Sequence, residues 1–174
     1  MSAGPVTIMG IDPGLGRTGY GIVVEQAGKL RAVDHGCIET PARRSVVKRL
    51  EQVYEELTTL LALHKPAEVS VEQLFFATNA QTAFAVGQAR GVILLAASKA
   101  GVKLGEYTPL EVKQAIVGYG RATKRQIKYM LRIILGVSDN FFPKKDDAWD
   151  AMAISVCHAN NKKFKDKVKT FDKY

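Results

Sequence analysis

Four acidic side chains in this sequence stand where a carboxylate needs a reason. Asp12 follows the apolar run 6–11 and opens a glycine-rich turn, Asp12-Pro13-Gly14-Leu15-Gly16-Arg17-Thr18-Gly19-Tyr20-Gly21. Burying a carboxylate is costly unless a cation or hydrogen-bond donors meet it. The glycines let the backbone turn sharply or pass close to a ligand, while Asp12 bonded to the turn's own amides is an equally good reading of this segment. Glu72 ends the alternating stretch Glu68-Val69-Ser70-Val71-Glu72, just before Phe75 and Phe76. Alternation puts Glu72 and Ser70 on one strand face, although an acid at a strand end facing water would look the same. Asp147 and Asp150 are three apart, hence on one face of a helix. Asp146 or Asp147 can cap that helix, whose dipole favours negative charge in its first turn. Capping does not explain Asp150, which lies deeper among small and apolar residues.

Gathered in one place, these acids would repel. Two unit charges about 4 Å apart oppose each other by about 4 kcal/mol at an effective dielectric near ~20. Divalent cations resolve the conflict, and an all-carboxylate set without His or Cys suits hard ions such as Mg²⁺, or Mn²⁺ as a substitute, rather than zinc. A pair of such ions about 4 Å apart activates a water and stabilises the leaving oxygen of a phosphodiester. The formal net charge of +8 points to a polyanionic partner. Charge supplies the nucleic acid, and the acids supply chemistry that cuts it.

The elements that must position these residues are legible along the chain. Strands are expected over 6–11, 18–25 and 30–40, the last two joined at Ala27-Gly28-Lys29, as an antiparallel meander. Residues 45–64 form an amphipathic helix, with Leu50, Val53, Leu57 and Leu61 on one face and Lys48, Glu51 and Glu55 on the other. A strand over 68–72, a small-residue helix over 79–99, a strand over 102–107 and helices over 109–117, 123–135 and 146–160 follow. A helix between strands gives a parallel crossover, so the sum is an α/β protein with a mixed five-stranded sheet flanked by helices. The 174 residues fit one nuclease domain over 1–160, followed by a lysine-rich, flexible tail over 161–174. The N-terminus does not read as a secretory signal and no apolar run spans a bilayer. Cys37 and Cys157 lack the spacing of a zinc site or a disulfide framework, which points to a cytoplasmic protein.

With these residues in view, the chain resembles the RuvC family of Holliday-junction endonucleases. The resemblance lies in Gly10-Ile11-Asp12-Pro13-Gly14 with Thr18-Gly19-Tyr20-Gly21, and in Val71-Glu72-Gln73 with Phe75 and Asn79. It continues through Gly87-Gln88-Ala89-Arg90-Gly91, Val112-Lys113-Gln114 with Val117-Gly118 and Gly120, and Asp147-Ala148-Trp149-Asp150-Ala151-Met152-Ala153-Ile154. It implies a ribonuclease-H-like fold, a homodimer and a Mg²⁺-dependent cut in each of two opposed strands of a four-way junction. It also implies service to homologous recombination and repair beside the RuvA–RuvB branch-migration complex. By resemblance Asp12, Glu72, Asp147 and Asp150 are the catalytic, metal-holding acids, and Lys113 and Lys124 support the scissile phosphate. Phe75 matches an aromatic that stacks on bases, with a core phenylalanine as the alternative. The family frame favours Asp147 over its neighbour Asp146, but helical spacing admits either.

The cations expected to meet DNA are Arg43, Arg44, Lys48, Arg49, Lys113, Arg121, Lys124, Arg125 and Lys128, with Asn79 and Arg90 from the family blocks beside them. Many of these also suit solvated helix faces. The helix over 79–99 is the candidate dimer seam. Two other readings stand: a junction-binding protein that does not cut, and an actin-like nucleotide-binding protein. For the latter the chain is too short to supply both lobes.

Overall fold

The computed structural model describes residues 4–73, 80–138, 140–141 and 146–171. Strands β1 (Val6–Asp12), β2 (Arg17–Gln26) and β3 (Lys29–Glu39) form the expected meander, with β1 antiparallel to β2 and β2 antiparallel to β3. Ala27 and Gly28 both take positive φ, 49° and 85°, in the two-residue loop between Gln26 and Lys29. Such a turn matches the twist of the strands it joins. Helix α1 (Val46–His64) leads to β4 (Glu68–Glu72), and α2 (Ala80–Lys99) leads to β5 (Lys103–Tyr107). Both later strands run parallel to β1, giving a five-stranded sheet in the order β3-β2-β1-β4-β5. Helices α3 (Pro109–Val117), α4 (Lys124–Leu135) and α5 (Asp147–Phe171) complete the chain. Among the described residues no helix is long and apolar enough to cross a membrane.

Local signals set the short elements. Thr108 and Thr123 each accept from the amide three residues on, while Glu111 and Gln126 reach back to the cap amides, closing two capping boxes. Gly118 and Gly136 end α3 and α4 in the left-handed region that glycine tolerates.

Strand alternation then divides the core. Met9, Ile11, Val69 and Val71 point to one side, where Val53, Leu57 and Leu61 of α1 and Ile93 and Ala97 of α2 cover them. Ile8 and Tyr107 point to the other, into the cluster built by α3, α4 and α5. At three positions on that side the sheet offers α5 no side chain. A Cβ added to Gly10 would lie 2.2 Å from the Ala151 carbonyl oxygen, one added to Gly19 would lie 2.2 Å from the Asp147 carbonyl oxygen, and one added to Gly21 would lie 2.7 Å from the Met152 nitrogen. Helix α5 therefore rests directly on the backbone of β1 and β2.

One boundary differs from the sequence reading. The last helix was expected to stop at residue 160 and a tail to begin at 161, but the backbone continues helical to Phe171. Neither Gly nor Pro interrupts residues 161–171, so nothing in the sequence stops the helix there. The start expected at residue 79 lies outside the described residues.

Gly10→Ala and Gly21→Ala are each expected to lower the free energy of unfolding in urea by roughly 1–3 kcal/mol through overpacking.

Candidate active site

The parallel register pairs Ile11 with Val71, so the next residues, Asp12 and Glu72, leave the sheet side by side on the α5 face. Helix α5 contributes Asp150, and α3 and α4 contribute Lys113 and Lys124. These five charged residues line one cleft of about 360 Å³, whose apolar wall includes Val112 and Ile127. Three acids expected from the sequence thus converge, with two cations facing them.

The electrostatics of the cleft follow from that crowding. Burial pushes the Asp12 carboxyl up to about 8, with the charges of Glu72, Asp150 and Asp147 adding to the rise and Lys124 opposing it. Glu72 is raised as well, first by burial and then by Asp150, against the pull of Lys124 and Lys113. Lys124 Nζ lies 3.0 Å from Asp150 Oδ2 and 3.4 Å from Asp146 Oδ2.

The neighbours Asp146 and Asp147 are separated by the phase of α5. Asp147 pairs with Arg17 of β2 and its charge is felt at Asp12. Asp146 accepts from Lys128 Nζ at 2.5 Å. That hydrogen bond, opposed by slight burial and aided by Lys124, holds its carboxyl below the usual range.

The remaining candidates fall in several places. Arg121 and Arg125 are exposed near the start of α4. Lys128 sits 5.4 Å over the Trp149 ring in addition to its bond to Asp146. Arg90 pairs with Glu106 and donates to the Glu72 carbonyl at 3.3 Å, so it braces the end of β4 from the opposite side of the sheet. Arg43 is exposed; Arg44 donates to Gln52 at 2.9 Å, Lys48 to Glu51 at 2.6 Å and Arg49 to Thr40 at 2.9 Å. Phe75 and Asn79 lie outside the described residues. Arg17 is the site neighbour that sequence reasoning passed over. Its only signal was a lone cation inside the glycine-rich turn.

Among the described residues, no group of three or more His, Cys, Asp or Glu forms a ready-made metal-ligand cluster. The donor chemistry nevertheless fits a hard divalent cation: the acceptors gathered in the cleft are all carboxylates, and burial first, then the neighbouring acids, keeps Asp12 protonated to about pH 8.

This proton has a consequence for stability. Folded Asp12 binds it up to about 8 while an unfolded aspartate releases it near 3.8, so between those values the native state holds more protons. Metal-free stability must then fall as pH rises through that window. Asp12→Asn should stabilise the chelator-treated protein by on the order of 4 kcal/mol at neutral pH, shrinking toward zero near pH ~4. Thermal melts across pH check this, and a gain that grew toward acid would contradict it.

A family model described as crossover junction endodeoxyribonuclease RuvC matches residues 8–158. RuvC of Rubrobacter xylanophilus is 51% identical over 87% of this chain and 84% of that protein. RuvC of Syntrophomonas wolfei is 47% identical over 88% of each. Among solved structures, T. thermophilus RuvC in complex with Holliday junction substrate superposes with a TM-score of 0.85 at 34% identity, over 91% of this chain and 96% of that one. The yeast mitochondrial Holliday junction resolvase shares the fold, with a TM-score of 0.66 at 15% identity over 94% and 85% of the two chains. The mixed sheet with α5 laid across it is thus the ribonuclease-H-like arrangement. The matched span runs from the strand that carries Asp12 to the helix that carries Asp150, and the chain belongs to the RuvC family of crossover junction endodeoxyribonucleases.

Proposed function

We propose that the chain is a metal-dependent, structure-selective DNA endonuclease that resolves four-way junctions by paired symmetric nicks, in the service of recombination and repair. One observation carries the reading: Asp12, Glu72 and Asp150 share a cleft with Lys113 and Lys124 in a protein of formal net charge +8. Acids alone would repel DNA, and cations alone would bind without cutting. Their adjacency suits a phosphodiester held by lysines above a carboxylate cradle.

In this reading Asp12 and Asp150 would hold one Mg²⁺ and Glu72 and Asp147 would complete the set for a second, with Mn²⁺ as a substitute. When bound, such ions activate a water and stabilise a leaving oxygen. The chain's own residues do the rest. Asp12 would give up its proton to serve as a ligand, since a divalent charge beside it would offset both its burial and the neighbouring carboxylates. Lys124 leaves Asp150 for a phosphate oxygen, and Lys113 meets the same backbone from α3. Arg17, released from Asp147, is free to do likewise. The products are a 5′-phosphate and a 3′-hydroxyl.

A junction with two-fold symmetry calls for a C₂ dimer. The exposed stripe Phe84, Gly91 and Leu95 on α2 is the surface proposed for its seam, since large apolar side chains 69% and 52% exposed there favour burial. Arg43, Arg121 and Arg125 are the exposed cations placed on flanking DNA. Family membership supports work beside a RuvA–RuvB branch-migration complex in the cytoplasm.

Incubating a labelled four-way junction with Mg²⁺ should give two symmetric nicks, and a chelator should abolish them. Asp12→Asn should lower the nicking rate by more than about a hundredfold, as loss of a metal-holding group implies, while junction affinity stays within about threefold. Junction binding without cutting in Mg²⁺ would favour the non-catalytic reading, and a melting shift with ATP the nucleotide-binding one. Phe84→Glu should convert the dimer to monomer in sedimentation; an unchanged dimer would place the seam elsewhere.

A further inference from the structure

Helix α5 and strand β4 meet along three rungs. Glu68 Oε2 lies 2.8 Å from His158 Nε2, the Ser70 hydroxyl donates to the Ile154 carbonyl at 3.3 Å, and Glu72 and Asp150 face the same cleft. The strand residues advance by two and the helix residues by four. Two strand residues rise about 6.6 Å and four helical residues about 6 Å, so helix and strand stay in step over the whole run.

The rung farthest from the cleft is wholly internal. Glu68, His158 and Tyr107 are 4%, 8% and 4% exposed, and the Tyr107 hydroxyl lies 2.9 Å from His158 Nδ1. A carboxylate can only accept, so Nε2 carries the imidazole proton and Nδ1 accepts from the Tyr107 hydroxyl. Gly105 makes room for the ring, since a Cβ there would lie 2.5 Å from Nδ1.

Stability does not explain such a set, because replacing a buried polar cluster by apolar residues of the same shape is commonly neutral or even stabilising. Position does. Elsewhere the α5 contact is apolar or backbone: Gly10, Gly19 and Gly21 lie against Asp147, Ala151, Met152 and Ser155, while Met152 and Ile154 share a core with Ile8 and Val23, and such packing constrains register less sharply than a directional hydrogen bond. A slip of one turn, about 5.4 Å, would carry His158 out of reach and break its two buried hydrogen bonds, to Glu68 and Tyr107, together.

We infer that Tyr107, His158 and Glu68 form a positioning device, fixing α5 along β4 so that Asp150 arrives beside Glu72 and Asp12. This rests on the reading of those acids as the metal-holding site.

The test replaces all three polar groups at once, Glu68→Leu with Tyr107→Phe and His158→Leu, beside the conservative Glu68→Gln, which keeps an oxygen for Nε2. Trp149 is the single tryptophan, 6% exposed, and reports the seat of α5 without metal. The triple variant should melt cooperatively near the wild-type temperature with Trp149 emission shifted to the red. It should bind Mn²⁺ at least about tenfold more weakly by calorimetry and lose at least about tenfold in kcat with KM for the junction unchanged, effects of the size that displaced supporting groups produce at metal sites. Glu68→Gln should stay near wild type in each. A folded triple variant with wild-type emission and Mn²⁺ affinity would overturn the inference. Loss of cooperative melting would overturn it too, since the set would then hold the fold and not the register. If the wild-type chain binds no Mn²⁺ and cuts nothing, the functional reading fails, and metal-free Trp149 emission still decides the positioning.

Discussion

The seating of α5 on the bare backbone of β1 and β2 is the contact on which everything else depends. Gly10, Gly19 and Gly21 remove the side chains that would hold a helix at the usual distance, and the peptide groups of Asp147, Ala151 and Met152 come down into the space. The same approach brings the first turn of α5 to the end of β1, where Asp12 emerges next to Glu72. Packing and chemistry are therefore one arrangement: a methyl group in the glycine floor would lift the helix and part the acids together.

That closeness sets up an electrostatic conflict that the protein alone only partly relieves. Lys124 reaches Asp150, Arg17 reaches Asp147, and Asp12 is left protonated to about 8. Lys124 lines the cleft itself and Arg17 pairs with the neighbouring Asp147, so both are placed to exchange one anionic partner for another. Asp146, one residue from the cluster, shows the other outcome: two lysines claim it.

Most of the fold was legible because each element carries its own local signal. Alternating Glu68–Glu72, the apolar face of α1 and the capping boxes at Thr108 and Thr123 need no distant partner to be read. Asp12, Glu72 and Asp150 were legible for a related reason, each being an acid out of keeping with its neighbours. What depended on partners far along the chain was not. The choice between Asp146 and Asp147 turns on the phase of α5 against α4 and β2, and no spacing rule decides between three and four residues. Arg90 reads as a free cation until Glu106 is folded against it. Glu68 and His158, 90 residues apart, gave no hint of each other. The end of α5 lies beyond residue 160 because neither Gly nor Pro interrupts the lysine-rich run 161–171, a stretch whose composition alone marks no boundary.

The acids are also divided by the order in which the chain is made. Asp12 and Glu72 belong to strands that can pair early, whereas Asp147 and Asp150 arrive on the final helix. Synthesis runs from the N-terminus, and the earlier parts fold first. A chain halted or clipped before α5 would hold half the carboxylates on an uncovered glycine floor, so a fragment cannot assemble the cluster, and only a finished molecule is armed.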